Sequence, residues 1–299
     1  MNIEKIKYFI DLIECRNFTD TAHKNFVSQT TISQQIASLE KEFDIQLIDR
    51  KKIPVEPTEA GWIFYNDAVI IWKQYQLMKE KMKNFIAHHT LVLRIEYAGV
   101  MDIRSLLPSI TKFKEMYPNI SIELNKVLLK DISDYLQKGL YDIAVTFDSE
   151  FAGKEAIITE TLEQGSYCAV VSDKHPLYHC DKIHVHELYR YPLIMLDPSV
   201  IGTSYSKMLQ RSEEDGYKPN IARTADDVES EIFYILTEGM VGFFPEQYQF
   251  ENHLDRLKII PIEDSKHRYK IVIASLRNNG NPAVKLFMKT PGIEKANTP

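Results

Sequence analysis

The apolar residues of this chain change their spacing once, near residue 90, and that change limits the folds open to it. Before it they recur at steps of three and four, the period of amphipathic helices. After it, alternating strand patterns take turns with helical ones. A helical first third followed by β-α-β alternation is a mixed α/β chain built from separate bodies. A length of 299 residues suits two or three domains.

The first segment reads as three short helices. Ile6, Phe9, Ile10 and Ile13 place one apolar face on a helix over residues 1–14. Asn17 offers an N-cap, with Asp20 beside the positive helix end, and Phe18, Ala22 and Phe26 are expected as the apolar stripe of a second helix. Val27 and Ser28 turn the chain into a third, with Ser28 as N-cap and Ile32, Ile36 and Leu39 facing inward. Thr30, Gln34, Ala37, Ser38 and Lys41 then lie outward, flanked by Thr31 and Ser33. Such a small, amide- and hydroxyl-bearing face can enter a major groove and meet base edges. A solvated amphipathic helix is the alternative, but two short helices joined by this turn favour a helix-turn-helix. The candidate DNA contacts are Ser28, Gln29, Thr30, Thr31, Ser33, Gln34 and Ser38. Arg50, Lys51 and Lys52 join them, in a hairpin wing suited to phosphates, with a solvated basic turn as the alternative. Leu47 and Ile48 close the small core.

Charge sets a limit on this reading. The chain carries a net −6, and residues 1–61 hold eight Lys and Arg against ten Asp and Glu. That excludes a strong nonspecific DNA binder, so the cations must be sorted in space and dimerisation must supply much of the affinity. The opening helix contains Glu4 and Asp11 and is no secretion signal, and no apolar run reaches membrane-span length. Cys15, Cys168 and Cys180 form no Cys-x-x-Cys. They are expected as packed thiols in a reducing cytoplasm.

Thr58 and Glu59 start a long helix on which Phe64, Ala68, Ile71, Tyr75, Met78, Met82 and Phe85 alternate steps of four and three. That is the seam of a coiled coil, and hence of a dimer; a helix packed on its own domain is the alternative. His88-His89-Thr90 ends the helix and begins a hinge.

Beyond it come strands at 91–97, 120–128 and 142–147, with helices between them, Asp131 capping the second. Further strands are expected at 166–172, 192–196, 220–224, 240–244 and 268–275, and helices at 204–215, 226–238 and 282–288. Two α/β units with a late return to the first imply two lobes with a cleft, and open α/β sheets bind ligands outside the carboxyl ends of their strands.

The ordered series Tyr8-Phe9, Asn17-Phe18-Thr19, Ala22, Val27-Ser28-Gln29, Ile32-Ser33-Gln34-Gln35-Ile36, Leu39-Glu40, Leu47-Ile48-Asp49-Arg50 and Thr58-Glu59-Ala60-Gly61 resembles the DNA-binding domain of the LysR-type transcriptional regulators. Thr30-Thr31 departs from the family's common Pro-Ala or Pro-Ser. Leu106-Leu107-Pro108, Tyr117-Pro118, Asp142-Ile143-Ala144, His175-Pro176-Leu177 and Gly239-Met240-Val241-Gly242 resemble its effector domain, itself similar to periplasmic solute-binding proteins. The resemblance implies an α/β chain with three parts. They are a winged helix-turn-helix at 1–61, a linker and dimerisation helix at 58–89, and a two-lobed effector-binding domain at 91–299, with lobe one at 91–161 and 267–299 and lobe two at 162–266. It implies a homodimer or homotetramer on a double-stranded DNA operator, with RNA polymerase as a further candidate partner and no cofactor.

It places the effector on Gly99, Val100, Met101, Asp102, Leu129, Thr146, Phe147, Ile201, Gly202, Thr203 and Phe243. The helices after Asp102 and near Thr203 could point amides at an anion, and Val100, Met101, Ile201 and Phe243 make the loops apolar. A carboxylate with an apolar body is the ligand expected from this. His175, His179, Cys180, His184 and His186 suit a metal by composition but match no closed four-ligand spacing, so no metal site is assigned; a metal- or redox-responsive regulator stays as an alternative. No phosphate loop, Gly-x-Ser-x-Gly or His-Glu-x-x-His is present, and no enzyme is expected. A small-molecule binder without a DNA role would need only residues 91–299.

Overall fold

A computed structural model describes the chain over residues 2–86, 91–250 and 256–290. It forms two compact units, Met1–His89 and Thr90–Pro299.

In the first unit α1 (Ile3–Cys15), α2 (Phe18–Lys24) and α3 (Gln29–Phe43) precede an antiparallel wing, β1 (Ile48–Asp49) with β2 (Glu56–Pro57), and the long α4 (Glu59–Ile86). The caps fall where the sequence puts them. Asn17 Oδ1 accepts the Thr19 and Asp20 amides at 2.7 and 3.3 Å, Ser28 Oγ the Thr31 amide at 3.1 Å, and Thr58 Oγ1 the Gly61 amide at 3.0 Å. Phe9, Leu12, Ile32, Ile36, Leu39, Leu47 and Ile48 close one core. Gly61 is dictated by that closure, because a Cβ there would stand 2.0 Å from the Leu47 carbonyl oxygen.

Two expectations are corrected. Phe26 is not on the apolar stripe of α2, which ends at Lys24; it takes a left-handed φ of 54° in the turn and is 96% exposed. Val27 packs against the core instead. Phe64 and Ala68 do not begin an open seam. The Phe64 ring meets Phe9 and Phe43 at centroid distances of 5.1 and 5.4 Å, and Ala68 is buried against Ile6 and Ile10 of α1. The first turns of α4 therefore belong to the core of their own unit. Further along, Tyr75 is half-buried while Ile71, Met78 and Met82 are exposed. The side chain of Phe85 and the segment His88-His89-Thr90 lie outside the described residues.

The second unit opens with β3 (Val92–Tyr97), α5 (Val100–Met116), β4 (Ser121–Lys126), α6 (Leu129–Gln137) and β5 (Ile143–Phe147), and β3 runs parallel to both β4 and β5. Arg94 and Glu96, on the polar face of β3, are buried all the same. Parallel sheets are covered on both faces. Asp131 sits in the first turn of α6 rather than capping it; Leu128 holds the N-cap position. Then follow β6 (Ile157–Ser172), β7 (Ile183–His184), α7 (Val185–Leu188), β8 (Leu193–Leu196), α8 (Pro198–Ile201), α9 (Thr203–Glu214), β9 (Ile221–Ala225), α10 (Val228–Glu238), β10 (Gly242–Pro245), β11 (Leu257–Glu263), β12 (Arg268–Leu276) and α11 (Pro282–Met288).

The sheet order is β4-β3-β5-β12-β6-β11-β7, with β10 also on β6 and β8 paired with β9 apart from it. β6 is the spine. Its first half pairs with β12 and its second half, from Tyr167, with β10 and β11. Each half has its own core, one around Phe113, Ile143 and Phe287 and one around Val171, Leu188 and Val241. The first half of β6 and all of β11 escape the sequence reading. Thr159, Glu160, Thr161, Glu163 and Gln164 give no apolar alternation to detect.

Candidate functional site

The outer face of α3 is as the spacing requires: Gln29, Thr30, Gln34, Ala37, Ser38 and Lys41 are exposed. Not all are free. Ser28 caps the helix and its hydroxyl lies 2.8 Å from that of Thr31, while Ser38 Oγ accepts from Lys5 Nζ at 2.9 Å. Thr31 and Ser33 are half-buried at the edge of the face. Gln29, Thr30 and Gln34 thus carry the polar groups that project furthest from competing partners, with Lys41 one turn beyond Ala37.

The wing cations are sorted by neighbouring carboxylates. Arg50 Nη2 is 3.0 Å from Glu40 Oε2, and its guanidinium stands 5.7 Å from the Phe18 ring centroid. Lys52 and Arg16 share Glu56, at 2.5 and 2.6 Å. These hydrogen bonds raise the Lys52 pKa and lower that of Glu56. Lys24 likewise bridges Asp11 and Glu14, each at 2.7 Å. Lys41, which the candidate set of contacts omitted, and Lys51 at the wing tip make no ion pair with a carboxylate among the described residues. They remain the cations available to phosphate.

In the second unit a cavity of about 380 Å³ opens between the two halves of the sheet. Of the expected effector residues, Gly99, Val100, Met101, Asp102, Leu129, Phe147, Ile201 and Phe243 line it. Thr146, Gly202 and Thr203 are not among the lining residues. Thr146 is fully buried, and Gly202, at φ 53°, lets the backbone approach α6, where a Cβ would come within 2.9 Å of Lys130 Cα. Lys126, Tyr167, Met195, Met208, Glu231 and Tyr248 also line the cavity and were not foreseen.

One of the two expected anion seats is taken. α5 begins at Val100, not after Asp102, and the Asp102 carboxyl accepts the Ala98 and Gly99 amides at 2.9 and 2.8 Å. Burial pushes its pKa up to about 7, against the opposing pull of those amides and the nearby Thr146 hydroxyl. At the start of α9, Glu150 Oε1 accepts the Ser204 amide at 2.9 Å and the Ser204 hydroxyl at 2.7 Å. Burial raises the Glu150 pKa as well. A carboxylate of the chain itself therefore fills the N-terminus of α9, whereas at α5 the amides that Asp102 takes are those of Ala98 and Gly99, just ahead of the helix. Glu150 also spans the cleft, from the segment after β5 to α9.

The histidine-rich segment does not converge. His175 is buried, takes the Leu177 amide on Nδ1 at 3.1 Å and packs on Tyr191, while His184 faces Asp264 at 3.3 Å. Among the described residues no group of three or more His, Cys, Asp or Glu is placed to hold a metal. Cys168 is buried, which pushes its thiol up to about 11. No helix among the described residues is long and apolar enough to cross a membrane.

A winged helix-turn-helix with an open reading face, carried on the same chain as a two-lobed α/β unit with an interlobe cavity, defines a DNA-binding transcriptional regulator with an effector-binding domain. The profile of the bacterial regulatory helix-turn-helix proteins of the lysR family matches residues 3–62, and that of the LysR substrate binding domain matches residues 87–290. The chain belongs to the LysR family.

It is similar to the HTH-type transcriptional regulator AlsR of Bacillus subtilis (strain 168), 25% identical over 298 residues, spanning 100% of this chain and 98% of the relative. It is also similar to the HTH-type transcriptional regulator BenM of Acinetobacter baylyi, 26% identical over 277 residues, 92% of this chain and 90% of the relative. The crystal structure of CbnR, a LysR family transcriptional regulator, shares the fold with a TM-score of 0.73 at 18% identity, covering 97% of this chain and 98% of that one. Full-length CbnR complexed with its target DNA gives a TM-score of 0.71 at 18% identity, covering 98% and 99%.

Proposed function

We propose that this regulator acts in the cytoplasm, not as an enzyme, and binds a two-fold operator as a dimer whose output is set by a small molecule in the interlobe cavity. Residues 1–61 would read DNA, 58–89 join two protomers, and 91–299 receive the effector. The observation that carries the reading is the exposed outer face of α3, where Gln29, Thr30 and Gln34 present donors and acceptors free of the domain's own carboxylates. Dimerisation is supported by the exposed stripe Ile63, Ile71, Met78 and Met82 on α4, at 64, 40, 53 and 57% exposure. This stripe lies one residue ahead of the seam the period suggests at Phe64 and then rejoins it. Contact with RNA polymerase and pairing of dimers into tetramers extend the same proposal.

The test is selection of fragments from the source genome by the full-length protein, followed by footprinting with and without candidate metabolites. The expected result is protection of two half-sites about one or more helical turns apart. Failure to enrich any fragment would refute the DNA-reading assignment. A footprint and affinity unchanged by every metabolite would refute the effector assignment.

A further inference from the structure

We infer that the interlobe cavity takes an organic cation: an amine with an apolar body, whose ammonium group is received by Glu231. The inference rests on the effector reading of that cavity and adds the chemical class of the ligand.

Glu231 lies in the first turns of α10, is 4% exposed and lines the cavity. No side-chain hydrogen bond or ion pair satisfies its carboxyl among the described residues. Burial alone drives its pKa well above the ordinary carboxylate range. A carboxyl with one open side, and that side a cavity, is a receptor for a donor that the protein does not supply. The charged lining is mostly acidic. Asp102 lies in the wall, while Asp226, Asp227 and Glu229 are exposed at α10's N-terminal end of the lining, against the one cation Lys126 among the lining residues described. At the N-terminus of α9 the Glu150 carboxylate already covers the Ser204 amide, so an anionic ligand would have to compete with it there. The remaining wall is apolar and aromatic, including Phe147, Tyr167, Phe243 and Tyr248. Ring faces attract cations and repel carboxylates.

Binding pairs R–NH3+ with the ionised Glu231 carboxyl, and any proton that carboxyl holds in the free protein leaves to solvent as the ion pair forms. Nothing is oxidised or reduced, and no covalent bond other than that O–H breaks.

The experiment titrates full-length protein with matched probes by calorimetry: 2-phenylethylamine, 2-phenylethanol and 3-phenylpropionate, with their hexyl and cyclohexyl counterparts. The expected result is that an amine binds at least about tenfold tighter than the carboxylate and alcohol of the same body. Amine affinity should rise with pH across the range in which the raised Glu231 carboxyl gives up its proton, with matching proton release read from the dependence of the heat on buffer ionisation. Glu231→Gln should abolish both the preference and its pH dependence. Tighter binding of the carboxylate, or equal binding of all three, overturns the cation assignment and leaves the effector cavity standing. Binding of none at millimolar concentration overturns both. Loss of the preference with Glu231→Gln counts only if that variant keeps the melting temperature of the parent. Otherwise the pH dependence on the unmodified protein decides, and an amine affinity that does not rise with pH rejects the ion pair.

Discussion

Glu40 on α3 holds Arg50 on the wing: its Oε2 is 3.0 Å from Arg50 Nη2, while its Oε1 accepts the Leu47 and Ile48 amides at 3.0 and 3.1 Å. One carboxylate thus ties α3 to the strand that leads into the wing loop. Arg50, assigned to DNA from its sequence position, is a brace for the wing first.

Glu40→Ala leaves two amides without their acceptor and frees Arg50. The loss of stability should be about 1–3 kcal/mol, seen in urea unfolding of the DNA-binding unit's transition. Operator affinity should fall together with stability. A variant of unchanged stability would show that water replaces the carboxylate.

Gln34→Ala and Lys51→Ala separate reading from positioning. Gln34→Ala should weaken the cognate operator by about 1–3 kcal/mol while leaving nonspecific DNA untouched. Lys51→Ala should weaken all sequences alike and reduce the salt slope by about one for each protomer. Filter binding at several salt concentrations checks both. If Lys51→Ala leaves the slope unaltered, the wing tip does not reach a phosphate.

Ala68 and Met78 lie on the same expected seam but should behave differently. Ala68→Leu crowds Ile6 and Ile10 and should destabilise the first unit by about 1–3 kcal/mol with the protein still dimeric. Met78→Glu should leave that unit folded and shift the protein towards monomer in sedimentation experiments. A monomeric Ala68→Leu would restore the original seam.

Asp102 gives the second unit a pH dependence of known sign. Its pKa is near 7 in the fold against 3.8 unfolded, so the native state holds the proton more tightly. The stability this provides is complete below the unfolded value and is lost as pH rises through about 7. The full excursion is up to about 4 kcal/mol. Glu150 and Glu231, both raised, act in the same sense. His267 acts in the opposite one: burial and Arg211 lower it to about 4, so its share is lost as pH falls. Asp102→Asn should therefore flatten the decline in melting temperature between about pH 5 and pH 8 relative to the parent. Identical profiles would show that Asp102 is solvated in the fold.

Local chemistry made much of the first unit readable. Asn17, Ser28 and Thr58 are caps by type and position, and Ile32, Ile36 and Leu39 bury as a helical period demands. The errors arise where a period cannot name the partner. Phe64 and Ala68 fit a coiled-coil seam and a domain core equally well, and Phe26 fits a stripe until the turn takes a left-handed residue. In the cleft the apolar walls were legible from Val100, Met101, Ile201 and Phe243, but the buried carboxylates were not. Nothing local marks Glu150 or Glu231 as inside, because their burial is set by strands and helices distant in sequence. Asp102 lies in the cavity wall, but its carboxyl, one turn into the helix, turns back to the Ala98 and Gly99 amides, a contact that its position in the sequence does not announce.

Strand β6 carries one more implication. It runs without a break from β12 to β10 and β11, with a register shift against β12 at Leu162 and a glycine at 165 whose Cβ would lie 2.5 Å from Glu246 Oε1. Any relative motion of the lobes would then flex this backbone, near Gly165, where a side chain would run into Glu246 and Tyr269. An effector signal leaving the cavity would travel as curvature in a continuous ribbon, graded by how far that ribbon bends, rather than as the swing of two plates on a loose joint.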